Sequence, residues 1–182
     1  MMGSLLTITS LVLSLLLPAR TLAANYEDSL KAFAEGVTAE SVKAKKERLA
    51  IVDFTDVKGA ATPIGQFLAE ELSTQLLIAG ELKVVERRLV HSTLKKLHIQ
   101  AVEATPSPVV RGAAKALRAD VFITGSYLES PEGLLVTVKL ISPSTAQAIG
   151  ATRSTMPPIG PLGELVKAVH APPPVKTEGL KE

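Results

Sequence analysis

Apolar side chains recur along this chain with two periods. In residues 26–47, Leu30, Phe33, Ala34 and Val37 fall at i, i+3, i+4 and i+7, which predicts one helical face, with Gly36 and Thr38 as possible kink points and Ser41 as a cap for a further turn. Residues 48–54 (RLAIVDF) are too continuously apolar for a strand with one wet face and predict a strand covered on both sides. A loop at 55–59 leads to Thr62-Pro63, an N-cap followed by a proline suited to the first helical turn. Ile64, Leu68, Leu72 and Leu76 step by four along the helix that follows to Ala79, with Phe67 widening the stripe and Gly80 placed to end it.

Leu82–Glu86 predicts a second strand, and Val90, Leu94 and Leu97 a helix after it. Ser107-Pro108 repeats the cap-and-proline pattern and opens a helix to Arg118 with Val109, Ala113 and Leu117 on one face. Three strands follow, at 121–128, 134–141 and 146–154, separated by the turns Pro131–Gly133 and Ser142–Thr145. Strands separated by helices need crossovers and are expected to be parallel. The last three, joined by short turns, are expected to form an antiparallel meander. The expected fold class is therefore α/β, a mixed sheet of about five strands packed with helices.

Both ends differ in character. Residues 5–17 form an apolar run of 13 residues, short of the roughly 20 that a membrane-spanning helix needs. Pro18 ends it, and the small residues around Ala23 and Ala24 suit a signal peptidase cutting after one or the other. Residues 1–23 are thus expected to be a secretory signal peptide, although no Lys or Arg precedes the run. Residues 24–47 are expected as an N-terminal helical segment and 48–155 as the α/β domain. From Met156 prolines cluster at 157, 158, 161 and 172–174, so 156–182 is expected to be a flexible Pro-rich tail with room for a short helix at 162–170.

Composition removes several classes of function. The net charge is +2, and loss of residues 1–23 removes only Arg20, leaving 19 basic against 18 acidic side chains. Such a balance disfavours a general nucleic-acid binder. The absence of Cys excludes disulfides, thiolate metal sites, a cysteine nucleophile and an acylated N-terminal Cys, and suits an oxidising compartment such as the periplasm. Phosphate-loop, dinucleotide-binding, zinc-protease and nucleophile-elbow motifs are all missing.

What chemistry remains is sparse. Asp53 and Asp56 sit at the carboxyl end of the first strand, where ligands bind in open α/β sheets, and could take a metal or act as a base; two Asp in one short loop with no His is a common turn-and-cap arrangement, and that is the favoured reading. Glu86-Arg87-Arg88 is expected to cap the next helix or pair across the sheet edge. His91 and His98 lie seven apart with no third ligand, and Ser126 reads as an ordinary strand residue. The basic run Lys43, Lys45, Lys46 and Arg48 reads as a solvated helix end. No catalytic, cofactor-binding or metal residue is assigned.

In order, residues 48–56 (RLAIVDFTD), a glycine-containing loop with the helix from Gly65 to Leu77, residues 83–89 (KVVERRL), 119–127 (ADVFITGSY), 135–141 (LVTVKLI) and 148–151 (AIGA) resemble the FlgO-type domain. The layout is similar to the curli secretion protein CsgG, the penicillin-binding-protein activator LpoB and the N-terminal domain of TolB. The resemblance covers about residues 45–155. It implies a TolB N-terminal-domain-like fold and a non-enzymatic protein of the cell envelope, periplasmic or outer-membrane associated, that works by contact with envelope proteins such as flagellar or secretion components. Regulation of a peptidoglycan synthase is the alternative. Two departures limit it: there is no Cys to acylate, and the link at Pro131–Gly133 is far shorter than the roughly 9–11 residues of one membrane-spanning strand, so no pore is carried over.

Overall fold

The computed structural model describes residues 25–102 and 104–171. The expected signal peptide and residues 172–182 of the expected tail lie outside them. The elements run α1 (Tyr26–Lys43), β1 (Arg48–Ile51), β2 (Thr55–Asp56), α2 (Pro63–Ala79), β3 (Lys83–Val84), α3 (Arg87–Lys96), α4 (Ser107–Leu117), β4 (Val121–Ser130), β5 (Gly133–Ile141), β6 (Ala148–Met156) and α5 (Gly160–His170). The sheet has the order β3-β1-β4-β5-β6, with the short β2 paired to β4 beyond the end of β1. β3, β1 and β4 are parallel, and β4, β5 and β6 form the antiparallel meander. The sixth strand, β2, falls where the sequence predicted only loop, because pairing with Ser126 and Tyr127 of β4 supplies an order that two residues cannot specify alone.

Two apolar layers hold the sheet between helices. One unites Leu30, Phe33 and Val37 of α1, Ile64, Leu68, Leu72 and Leu76 of α2, and Leu162 of α5 with Leu49, Ile51, Ile123, Val136 and Val138 of the sheet. The other joins Val90 and Leu94 of α3 and Val110, Ala113 and Leu117 of α4 to Ala50, Phe122 and Ile141. Adjacent residues of β1 and β4 thus alternate between layers, as the pleat requires, and both faces at β1 are dry. On α4 the buried position is Val110, while the expected Val109 is 38% exposed.

The caps divide in the same way. Thr62 Oγ1 accepts the Gly65 N–H at 3.0 Å, with Pro63 opening α2 and Gly80 closing it, as predicted. Ser107 is not a cap: Pro106 takes that position without a side-chain bond, and Ser107 Oγ instead accepts from the Arg111 guanidinium at 3.2 Å. Ser41 lies within α1 and donates to the Val37 carbonyl at 2.8 Å. Gly36 does not break α1. A Cβ there would stand 2.6 Å from Thr152 Oγ1, so its bare backbone lets β6 come close.

Residues 156–171 are packed rather than tail-like. Met156 and Leu162 are fully buried, and Leu165 and Val166 lean on the same core. His170 Nε2 lies 3.4 Å from Glu129 Oε2 at the end of β4. The prolines mark the entry to α5, with Pro161 in its first turn, instead of forbidding it.

One contact organises the sheet end. Phe54, between β1 and β2, is fully buried. Its ring lies against Gly125 of β4, where a Cβ would come within 2.6 Å, and its carbonyl oxygen lies against Gly65 of α2, where a Cβ would collide outright. Gly125→Ala and Gly65→Ala should each cost about 1–3 kcal/mol from overpacking, and at Gly65 this outweighs the roughly 1 kcal/mol that alanine gains in a helix. Gly112 of α4 has open space around its Cβ position, so Gly112→Ala should stabilise by up to ~1 kcal/mol. Urea denaturation of the three variants should give opposite signs.

Candidate functional site

The parallel strands set the location. The chain leaves β1 through α2 to reach β3 on one side, then returns through α3 and α4 to β4 on the other. Between β1 and β4 the strand order therefore switches direction, and such a switch opens a crevice at the carboxyl ends of the strands. The Phe54 bend widens it. Val52 N–H still donates to the Ile123 carbonyl at 2.9 Å, after which the chain steps away and rejoins β4 only at Thr55.

The crevice has two lobes that share Val52, Asp53, Thr55 and Gln100. One, of about 410 Å³, lies against α3 and is lined by His91, Lys95 and His98. The other, of about 390 Å³, lies over the sheet and is lined by Ser126, Thr137 and Lys139.

Asp53 and Asp56 do not act together. Asp53 receives the Arg87 guanidinium, and His91 Nε2 lies 3.1 Å from the same carboxylate oxygen. Arg87 continues to Glu70 Oε2 at 2.7 Å through Nε and to the Ile51 carbonyl at 3.4 Å. The Arg87 and Asp53 side chains are only 10% and 17% exposed, so this is an inward ion pair rather than a surface one. It ties α3 to the end of β1 and to α2. Asp56 Oδ1 instead accepts the Lys58 and Ala60 N–H groups at 2.8 Å each, a turn-forming role.

The charged triplet after β3 does both things expected of it. Glu86 caps α3, its Oε2 accepting the Leu89 N–H at 2.8 Å, and Arg87 makes the inward pair. His91 and His98 line the same lobe, and no group of three His, Cys, Asp or Glu side chains suited to a metal occurs among the described residues. Ser126 is a half-buried strand residue opposite Thr137. In the basic run, Lys43 pairs with Glu40 at 3.4 Å, and the Arg48 N–H donates to Asp120 Oδ2 at 3.0 Å. Sequence reasoning missed the Arg87–Asp53 pairing partner and the hydroxyl row on β4 and β5; the alternation of Thr124, Ser126, Thr137 and Lys139 was the available signal for the second.

A second exposed feature lies at the far side of the sheet. β6 is nine residues long, and among the described residues no strand pairs with its outer edge. One side of it, including Gly150 and Thr152, meets α1, and Arg153 is its single charged residue.

The family model described as FlgO protein matches residues 32–159. The chain belongs to the FlgO family. Its fold is that of the LpoB C-terminal domain: the Escherichia coli domain superposes with a TM-score of 0.52 at 12% identity, covering 70% of this FlgO-family chain and 97% of that domain. The Salmonella enterica domain gives 0.52 at 13% identity, with 70% and 98% covered. The solution structure of E. coli LpoB gives 0.54 at 12% identity, with 86% and 83% covered. No curated protein matches the sequence significantly. Among the described residues of this FlgO-family chain, no helix is long and apolar enough to cross a membrane.

Removing Arg87 leaves the Asp53 carboxylate inward-facing with His91 as its remaining partner. Arg87→Met should cost about 2–4 kcal/mol, and Arg87→Met combined with Asp53→Leu clearly less, by chemical denaturation. Equal losses would mean the pair itself, not the orphaned charge, carries the stability. At Glu86, the Leu89 and Arg88 N–H groups hold the carboxyl below its ordinary value of 4.5. Its contribution is complete above the unfolded-state value and is lost as pH falls through the lower folded-state value. Glu86→Gln should therefore flatten the acid limb of the stability–pH curve and leave its slope above pH ~6 unchanged.

Proposed function

We propose that this FlgO-family protein is an exported, non-enzymatic component of the cell envelope that assists assembly or anchoring of a surface structure, flagellar or secretion-related, by protein–protein contact. The observation that carries this is the β6 edge. Nine residues with one charge and no proline have no strand paired outside them among the described residues, whereas natural edges are usually blunted by lysine or proline; the one blunting device here is the bulge at Ile149. A partner strand added there gains main-chain hydrogen bonds without any chemistry being required of this chain. The commitment of Asp53 to Arg87 and of Asp56 to its own turn supports a non-catalytic role, because neither carboxylate is left to serve as a base.

A periplasmic location, with any outer-membrane association made through partners, fits the expected signal peptide at residues 1–23. No cysteine is available for a lipid anchor. The domain organisation that accompanies this proposal is a cleaved leader at 1–23, the helical segment at 24–47, the α/β domain at 48–155 and a Pro-rich segment from 156. The likeness to LpoB keeps regulation of a peptidoglycan synthase as the second reading.

Ile149 tests the edge. The register passes from Leu140↔Gly150 to Ile141↔Ala148, so Ile149 is the residue left over in a bulge and is 41% exposed. Ile149→Pro should keep the circular dichroism spectrum and melting temperature within a few degrees, yet reduce recovery of envelope partners in pull-downs by about tenfold. Flagellar or secretion components in the pull-down support the first reading and a peptidoglycan synthase the second. Unchanged recovery removes the β6 edge as the contact.

A further inference from the structure

We infer that the crevice at the end of β1 is a binding site for a small hydroxylated anion, a sugar acid or a sugar phosphate. This site is separate from the β6 edge and does not rest on the docking function.

The inference follows from which groups are already engaged. Of the described acidic side chains lining the two lobes, Asp53 is paired with the Arg87 guanidinium, which also reaches Glu70, and Asp56 accepts two backbone N–H groups. Lys95 and Lys139, by contrast, have no ion-pair partner among the described residues, and both line the crevice. His98 lines it too, with no side-chain hydrogen bond among the described residues. The charged groups left without a partner among the described residues are therefore the two lysines, and an anionic group is what would pair with them.

The floor specifies more than charge. Thr55 of β2, Ser126 of β4 and Thr137 of β5 stand in register on neighbouring strands and on one face of the sheet. Lys139 follows two residues after Thr137 and lies opposite Thr124. Adjacent strands are about 4.8 Å apart, so the three hydroxyls form a ladder that several hydroxyl groups of one ring can span while an acidic group reaches the ammonium. The volume of each lobe, about 410 and about 390 Å³, suits a ligand of one or two sugar rings. The location, at the strand-order switch, is where open sheets place polar ligands.

Titration calorimetry on the signal-free protein, with N-acetylmuramic acid, glucose 6-phosphate and neutral N-acetylglucosamine, tests this. Saturable binding of at least one anion is expected, with N-acetylglucosamine weaker by about tenfold or more. Response to N-acetylmuramic acid alone assigns a carboxylate, and response to glucose 6-phosphate alone a phosphate. Lys139→Gln should weaken the anion about tenfold while leaving the melting temperature unchanged, since Lys139 is exposed. Ser126→Ala should weaken N-acetylglucosamine and the anion alike. Saturation by neither anion, equal affinity for the neutral sugar, or an indifferent Lys139→Gln variant would overturn the assignment.

Discussion

The seating of Phe54 between two glycines is the contact on which the working end of this fold depends. Burying a phenylalanine contributes on the order of 1.5–3 kcal/mol, and here the burial is possible only because Gly125 and Gly65 carry no side chain. The bend at the aromatic ring takes the chain off the ladder for two residues, Asp53 and Phe54, and pins the start of α2 against it. Asp53, immediately before, is thereby turned towards Arg87, and Thr55, immediately after, is returned to the sheet on the face of Ser126. The inward ion pair, the crevice and the β2 pairing all descend from one bend.

What the sequence revealed was whatever is settled locally. The four-residue steps of α2, its Thr62 cap and Gly80 end, and the hairpin turns around Pro131–Gly133 and Ser142–Thr145 are decided within a few residues, and they were legible. So were the parallel-then-antiparallel order and both roles of Glu86 and Arg87, because charge leaving a strand has few places to go. The failures share one cause. β2 exists only because β4 is beside it, Gly36 continues its helix because Thr152 needs the room, and α5 is ordered because Leu162 finds a core made by distant residues. Ser107 looked like a cap by its neighbour Pro108, but Arg111 claims its hydroxyl. Apart from Arg111, four residues from Ser107, none of these partners lies within the window that a local pattern inspects.

The two candidate surfaces share a sheet. β5 carries Thr137 and Lys139 into the crevice, and on its other side pairs Thr137 with Arg153 and Lys139 with Ala151 of β6. A strand added outside β6 would stand two strand spacings from the lysine. Shifts in twist there pass directly along the ladder, since paired strands move as one pleated surface. Docking at the edge and occupancy of the crevice thus have a physical route by which each could alter the other.

The helix that opens the described chain packs on the strand that closes its sheet: Gly36 meets Thr152, and Glu40 meets Gly150. During synthesis, then, the apolar stripe of α1 can meet α2 early, but its seat on β6 is completed only after more than a hundred further residues have been made. Such distant closure slows folding and postpones it until the whole polypeptide is present. A protein built this way stays pliable while it is being produced, the state in which a nascent chain can still be threaded through a narrow passage.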